Sequence, residues 1–178
     1  MSPKVRIAGI PARWILSACV LLAAAPAARA NEVLDAMAGE WIGKGDGRIG
    51  PGEPAEKIYC KISNTLSDGG KALLQAGRCA VGNTTGALEG RIEAGENGQF
   101  GGKLVSPVMK APATVSGSGD KKQLRLNARY VDSRTGRQIS SDLEFEIVAD
   151  GEFRMTTTAT DLQTGDVYRS GEVVFRRQ

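Results

Sequence analysis

The 178-residue chain contains no histidine. That excludes Ser-His-Asp and Cys-His catalysis, imidazole metal ligation and the usual physiological pH switch. Aromatic residues are few: four Phe, three Tyr and two Trp. An internal cavity would therefore be lined chiefly by Leu, Ile, Val, Ala and Met. No apolar run is long enough to span a bilayer, since Trp14–Ala25 falls short of the roughly 20 residues required. The formal charge of +3 belongs to the leader, where Lys4, Arg6, Arg13 and Arg29 face no acid. Without residues 1–30, the balance is 19 basic against 20 acidic residues, a net charge of −1. No positive field then remains to attract nucleic acid or an anionic membrane.

What is present at the start is a targeting segment. A basic opening, an apolar core and the small-x-small site Ala28-Arg29-Ala30 read as a signal peptide cleaved after Ala30. Residues 31–178 are then one domain, exported to the periplasm or secreted, with no transmembrane segment. A rival lipoprotein box, Leu16-Ser17-Ala18-Cys19, would leave only Trp14 and Ile15 as apolar residues between it and Arg13. After cleavage two cysteines remain, and an even pair in an exported chain reads as a disulfide. Gly69 and Gly70 lie midway between Cys60 and Cys79. A hairpin turning at Asp68-Gly69-Gly70-Lys71 would set the two sulfurs directly opposite each other. With the bridge formed, no thiolate nucleophile is left.

Val33–Ala38 is one short helical turn, ended by Gly39. The remainder reads as nine or ten strands separated by turn signals. These are roughly 40–48, the two arms of the cysteine hairpin, 87–94, 99–105, 114–117, 123–132, 138–148, 152–160 and 167–177. Alternation is cleanest in the seventh and eighth. Leu124, Leu126, Ala128 and Tyr130 share one face, while Leu143, Phe145 and Ile147 oppose Asp142, Glu144 and Glu146. A three-residue loop, Ala149-Asp150-Gly151, pairs Ile147 with Phe153, Phe145 with Met155 and Leu143 with Thr157, matching apolar faces. No element is long enough for a crossover helix. The fold class expected is all-β: an up-and-down antiparallel barrel of about 8–10 strands, with a two-sheet sandwich as the alternative.

Other patterns point to no chemistry. Glu144 and Glu146, with Asp142, are paired carboxylates of the kind that cleaves glycosides, but they alternate with an apolar face and read as a solvated wall. Gly45-Asp46-Gly47-Arg48-Ile49-Gly50 has the spacing of a phosphate loop, yet Pro51 follows where a helix is needed. Lys121, Lys122, Arg134 and Arg137 read as plain turn residues. Asn83-Thr84-Thr85 is a glycosylation sequon, meaningful only on a eukaryotic secretory route. Glycine is in excess, 22 of the 148 residues after the leader, about twice the usual share of roughly 7 %. Either the barrel is narrow with touching walls, or it is hollow.

Gly39-Glu40-Trp41 opens the first strand after a helical turn, and the last strand ends Val174-Phe175-Arg176-Arg177. This layout resembles the calycin superfamily of lipocalins, fatty-acid-binding proteins, avidins and bacterial metalloprotease inhibitors. The resemblance implies that Trp41 plugs the closed barrel end and that Arg176 or Arg177 packs across its ring. It also implies a non-enzymatic barrel that binds a small, mostly apolar molecule. Ile62, Leu126, Phe145 and Phe153 are expected to line its core or cavity, and no cofactor or metal is expected. The alternative is a protein-interaction module: an envelope assembly factor, or an inhibitor of a secreted protease using Asn31–Val33 as an arm.

Overall fold

The computed structural model describes residues 32–178; the leader, its cleavage site and Asn31 lie outside the described residues. One helix precedes ten strands: α1 Glu32–Met37, β1 Gly39–Gly47, β2 Glu56–Ser67, β3 Ala72–Val81, β4 Thr84–Ala94, β5 Gln99–Val105, β6 Ala113–Gly119, β7 Gln123–Val131, β8 Gln138–Ala149, β9 Glu152–Asp161 and β10 Val167–Arg177. Each strand pairs antiparallel with its sequence neighbours. β1 closes the ring against β10, with Trp41 opposite Arg177 and Gly47 opposite Gly171. Closure leaves no free edge, which suits a chain whose strands alternate apolar and polar along their whole length.

The hairpin registers follow from turn chemistry. Cys60 sits opposite Cys79 across β2 and β3, and Gly69 takes φ +66° in the turn between them. β8 and β9 pair Ile147 with Phe153, Phe145 with Met155 and Leu143 with Thr157. The connection differs from a plain three-residue loop. Ala149 still pairs with Glu152 across a two-residue turn, and Val148 is extruded as a bulge. The bulge shifts the register by one and keeps both apolar faces inward. β4 and β6 run longer than expected, because pairing with their neighbours continues up to the turns.

The up-and-down path sends connections 48–55, 82–83, 106–112, 132–137 and 162–166 to one end, the mouth. The short turns gather at the other end, with α1. Trp41 forms the floor there, 1 % exposed. Its Nε1 donates to the Met37 carbonyl at 2.9 Å. Its ring meets Phe153 edge-on at 4.8 Å, and Phe153 stacks on Phe175 at 4.6 Å. A Cβ on Gly43 would lie 2.5 Å from the Phe175 ring, so only glycine leaves that ring its place. Arg177 lies over the indole, 4.6 Å from its centroid, and donates to the Ala38 and Ala36 carbonyls. Arg176 points outward and pairs with Glu152 at 2.8 Å. Val33 is fully buried within α1 and packs into the core, so this residue of the expected inhibitor arm is not free to enter a protease cleft.

Two rim turns share the sequence Asp-x-x-Thr-Gly: Asp132–Gly136 and Asp161–Gly165. In each, the aspartate Oδ1 accepts main-chain N–H groups two and three residues on, and its carbonyl accepts from the glycine. Asp161 also accepts from Arg137 at 3.1 Å. The Gln163 N–H, helped by the Thr164 N–H and Arg137, holds the Asp161 carboxyl below the ordinary carboxylate range, against the opposing effect of burial.

Truncating Trp41 to Ala is expected to cost about 3–5 kcal/mol, read by urea unfolding; an unchanged midpoint would mean that the floor does not depend on the indole. Asp161 has a lowered folded pKa, so its contribution is complete above the unfolded value of about 4 and is lost as pH falls through the folded value. The melting midpoint should therefore fall less on acidification for Asp161→Asn than for the wild type.

Candidate functional site

Above the aromatic floor the barrel is hollow. A cavity of about 150 Å³ opens toward the mouth. Its two sides differ. The β2–β5 side presents Ile58, the Cys60–Cys79 bridge, Val81, Leu88 and Leu104, with Gln75 as the polar group. The β7–β10 side presents four hydroxyls, from Tyr130, Ser141, Thr157 and Ser170, together with Leu143, Phe145 and Met155. Segment 106–109 and residues Arg48, Ile49, Asp132, Arg134 and Tyr168 surround the opening.

Strand geometry explains the hydroxyl side. Tyr130 continues the inward parity of Leu124, Leu126 and Ala128, and Ser141 that of Leu143. Their oxygens are 3.2 Å apart. In β10 the register slips between Arg169 and Gly171, and the extra residue, Ser170, reaches the cavity. Its hydroxyl donates to Thr157 Oγ1 at 3.0 Å, and Thr157 Oγ1 is 3.4 Å from the Gly171 carbonyl, to which it donates. Burial, the largest influence on Tyr130, raises its pKa and keeps the phenol protonated, a hydrogen-bond donor or acceptor rather than an anion. Gln75 donates to Asn64 at 3.2 Å, and Asn64 donates to the Met37 carbonyl at 2.8 Å. The cavity wall is thereby tied to the helix beneath the floor.

The mouth is braced. Ser133 donates from its hydroxyl to the Pro107 carbonyl and from its N–H to the Val108 carbonyl. Lys110 N–H donates to Val131. Tyr168 donates to the Ile49 carbonyl at 3.0 Å. Arg134 does not behave as a plain turn residue. Its Nη1 lies 2.7 Å from Glu56 Oε2, at the first residue of β2. β2 stands opposite β7 and β8 in the ring, so this pair spans the opening.

Of the four residues expected to line the interior, Phe145 and Phe153 border the cavity. Ile62 and Leu126 are buried, at 1 % and 2 %, but belong to the packed core and not to the cavity wall. The outer carboxylates are occupied: Glu144 pairs with Arg125, Glu146 with Arg154, and Asp142 accepts from Asn127. Gly45 and Gly47 lie in β1, and the chain after them enters loop 48–55 instead of a helix. Among the described residues no cluster of His, Cys, Asp or Glu could hold a metal ion.

No protein-family model matches the chain, and no curated protein matches it in sequence. Solved structures do match. The S-type phycobiliprotein lyase CPES from Guillardia theta aligns over 83 % of this chain and 91 % of its own, with a TM-score of 0.54 and 10 % identity. The structure of EF1p2_mFAP2b bound to DFHBI aligns over 83 % and 98 %, with a TM-score of 0.44 and 9 % identity. At 10 % identity the likeness to the lyase is one of fold. The chain folds as a calycin-like barrel: ten antiparallel strands closed into a ring, with one short helix on its N-terminal side.

The Cys60–Cys79 bridge joins neighbouring strands with a sequence separation of 19. Replacing both cysteines by alanine should lower stability by about 3 kcal/mol, the loop-closure entropy of a ring of this size. Denaturant curves of the oxidised protein and the double variant test this. Coincident curves would show that strand pairing alone sets the register.

Proposed function

We propose that this protein is a non-enzymatic, exported barrel that holds a small, mostly apolar molecule. The observation that carries the reading is the cavity itself, between a sealed aromatic floor and a braced mouth. Its volume of about 150 Å³ is that of a dry cavity able to hold a benzene-sized guest. The occupant is therefore a single ring or a short chain. One side supplies apolar contact and the other hydroxyls, so the preferred guest is apolar over most of its surface with a polar edge. Export is supported by the basic and apolar leader, the Ala28-Arg29-Ala30 site and a disulfide that suits an oxidising compartment.

Leu143 is buried and borders the cavity. Leu143→Trp places an indole in that space. Displacement of an environment-sensitive dye, with native mass spectrometry of protein from the exported fraction, is expected to show binding by the wild type and none by the variant. Circular dichroism confirms that the variant folds. A folded Leu143→Trp protein that binds as well as the wild type would overturn the reading.

A further inference from the structure

We propose that Gln75 makes this cavity selective for an uncharged, hydroxyl-bearing guest of phenol type, whose hydroxyl donates to Gln75 Oε1. The inference rests on the cavity-binding reading and narrows it to one chemical class.

The orientation of the Gln75 amide follows from a chain of obligatory donors and acceptors. The Met37 carbonyl can only accept, so the Asn64 atom 2.8 Å from it is the amide nitrogen, Nδ2. Asn64 Oδ1 is then the free end of that amide, and it too can only accept. The Gln75 atom 3.2 Å from Oδ1 is therefore the nitrogen, Nε2. Asn64 is 3 % exposed, so solvent cannot take over either role. Turning the Gln75 amide over would set two oxygens against each other. Turning Asn64 over as well would set its oxygen against Met37. The Met37 carbonyl thus decides that Oε1 is the end of the Gln75 amide left over.

Oε1 accepts no hydrogen bond among the described residues. It is not sealed off either. The buried side-chain polar atoms without a hydrogen-bond partner are Nε of Arg134 and Nε of Arg154, so Oε1 keeps accessible surface. Gln75 shares the inward parity of Leu73 and Cys79, and the space it borders is the cavity. Its neighbours supply no donor. Leu73 and Gly77 flank it on β3, and Gly90 stands opposite on β4. The facing wall has the opposite character. Ser170 and Thr157 spend both their protons, one on Thr157 and one on the Gly171 carbonyl. Tyr130 and Ser141 share one hydrogen bond and keep one proton between them, a donor. A hydrocarbon guest leaves Oε1 unpaired, which is costly in a closed space. A carboxylate sets its own oxygens against Oε1 and finds too few donors to offset its desolvation. A hydroxyl on an apolar body fits both the amide and its apolar surroundings. Nε2 keeps a second proton, so a guest that only accepts is the competing fit.

Phenol, toluene and benzaldehyde test the proposal on the mature chain by NMR titration. The three probes share a ring that suits the cavity. Phenol donates, benzaldehyde only accepts and toluene does neither. The phenol-to-toluene affinity ratio is expected to fall roughly ten-fold in Gln75→Leu, the scale of one hydroxyl left without its acceptor. The benzaldehyde-to-toluene ratio should change much less. Circular dichroism shows whether the variant folds. In the wild type, the side-chain carbonyl carbon resonance of Gln75 should move on adding phenol and stay in place on adding toluene, a readout that needs no variant. A phenol-to-toluene ratio unchanged in folded Gln75→Leu, a Gln75 resonance indifferent to phenol, or a loss of benzaldehyde as large as that of phenol would overturn the selectivity while leaving the cavity reading intact. If none of the three binds at millimolar concentration and no dye is displaced, the cavity reading falls and this inference falls with it.

Discussion

The carbonyl of Met37 is the point on which the closed end depends. It accepts from the Trp41 indole at 2.9 Å and from Asn64 at 2.8 Å, while Arg177 takes the carbonyls on either side of it. A six-residue helix is too short to be stable alone. Here its C-terminal carbonyls are satisfied by side chains from β1, β2 and β10, the three strands that meet at the seam. Val33, Leu34 and Met37 are consequently buried under the floor. The same contacts orient the indole, which supports Phe153 and, through it, Phe175. The aromatic layer that bounds the cavity from below thus inherits its position from one main-chain oxygen.

Glycine governs the rest of the shape. Without Cβ at Gly43 the Phe175 ring can lie against β1. At Gly45 a Cβ would fall 1.8 Å from the Glu172 carbonyl, so backbones approach there more closely than any other residue permits. Narrowness and hollowness, which the glycine excess left as alternatives, occur together. The barrel is tight at the seam and floor and open between floor and mouth.

Much of this was readable from residue order. Alternation settled which side chains face inward, and the Asp-Gly-Gly turn settled the cysteine register, because both depend only on neighbours in the chain. The 147/153 register was legible from face matching even though a bulge at Val148, rather than loop length alone, achieves it. Depth along the barrel axis was not legible. Ile62 and Phe145 both face inward, but only the stagger of ten strands decides which meets packed core and which meets space. Arg134 was missed for a related reason. Its partner Glu56 lies 78 residues away, and a linear sequence does not tell which rim turns face each other across an opening. The serine at the β10 bulge escaped because a register slip reverses the parity from which its direction would be read.

The seam between β1 and β10 has a kinetic consequence. Trp41 and Arg177, which together make the floor, come from the first and last strands. Eight hairpin-linked strands can assemble between them through local pairings, but the ring cannot shut until both termini of the sheet are in hand. Contacts between such distant parts of a chain form slowly, since loop entropy must be overcome before they stabilise anything. The aromatic layer and the last ladder therefore lock together as a late event.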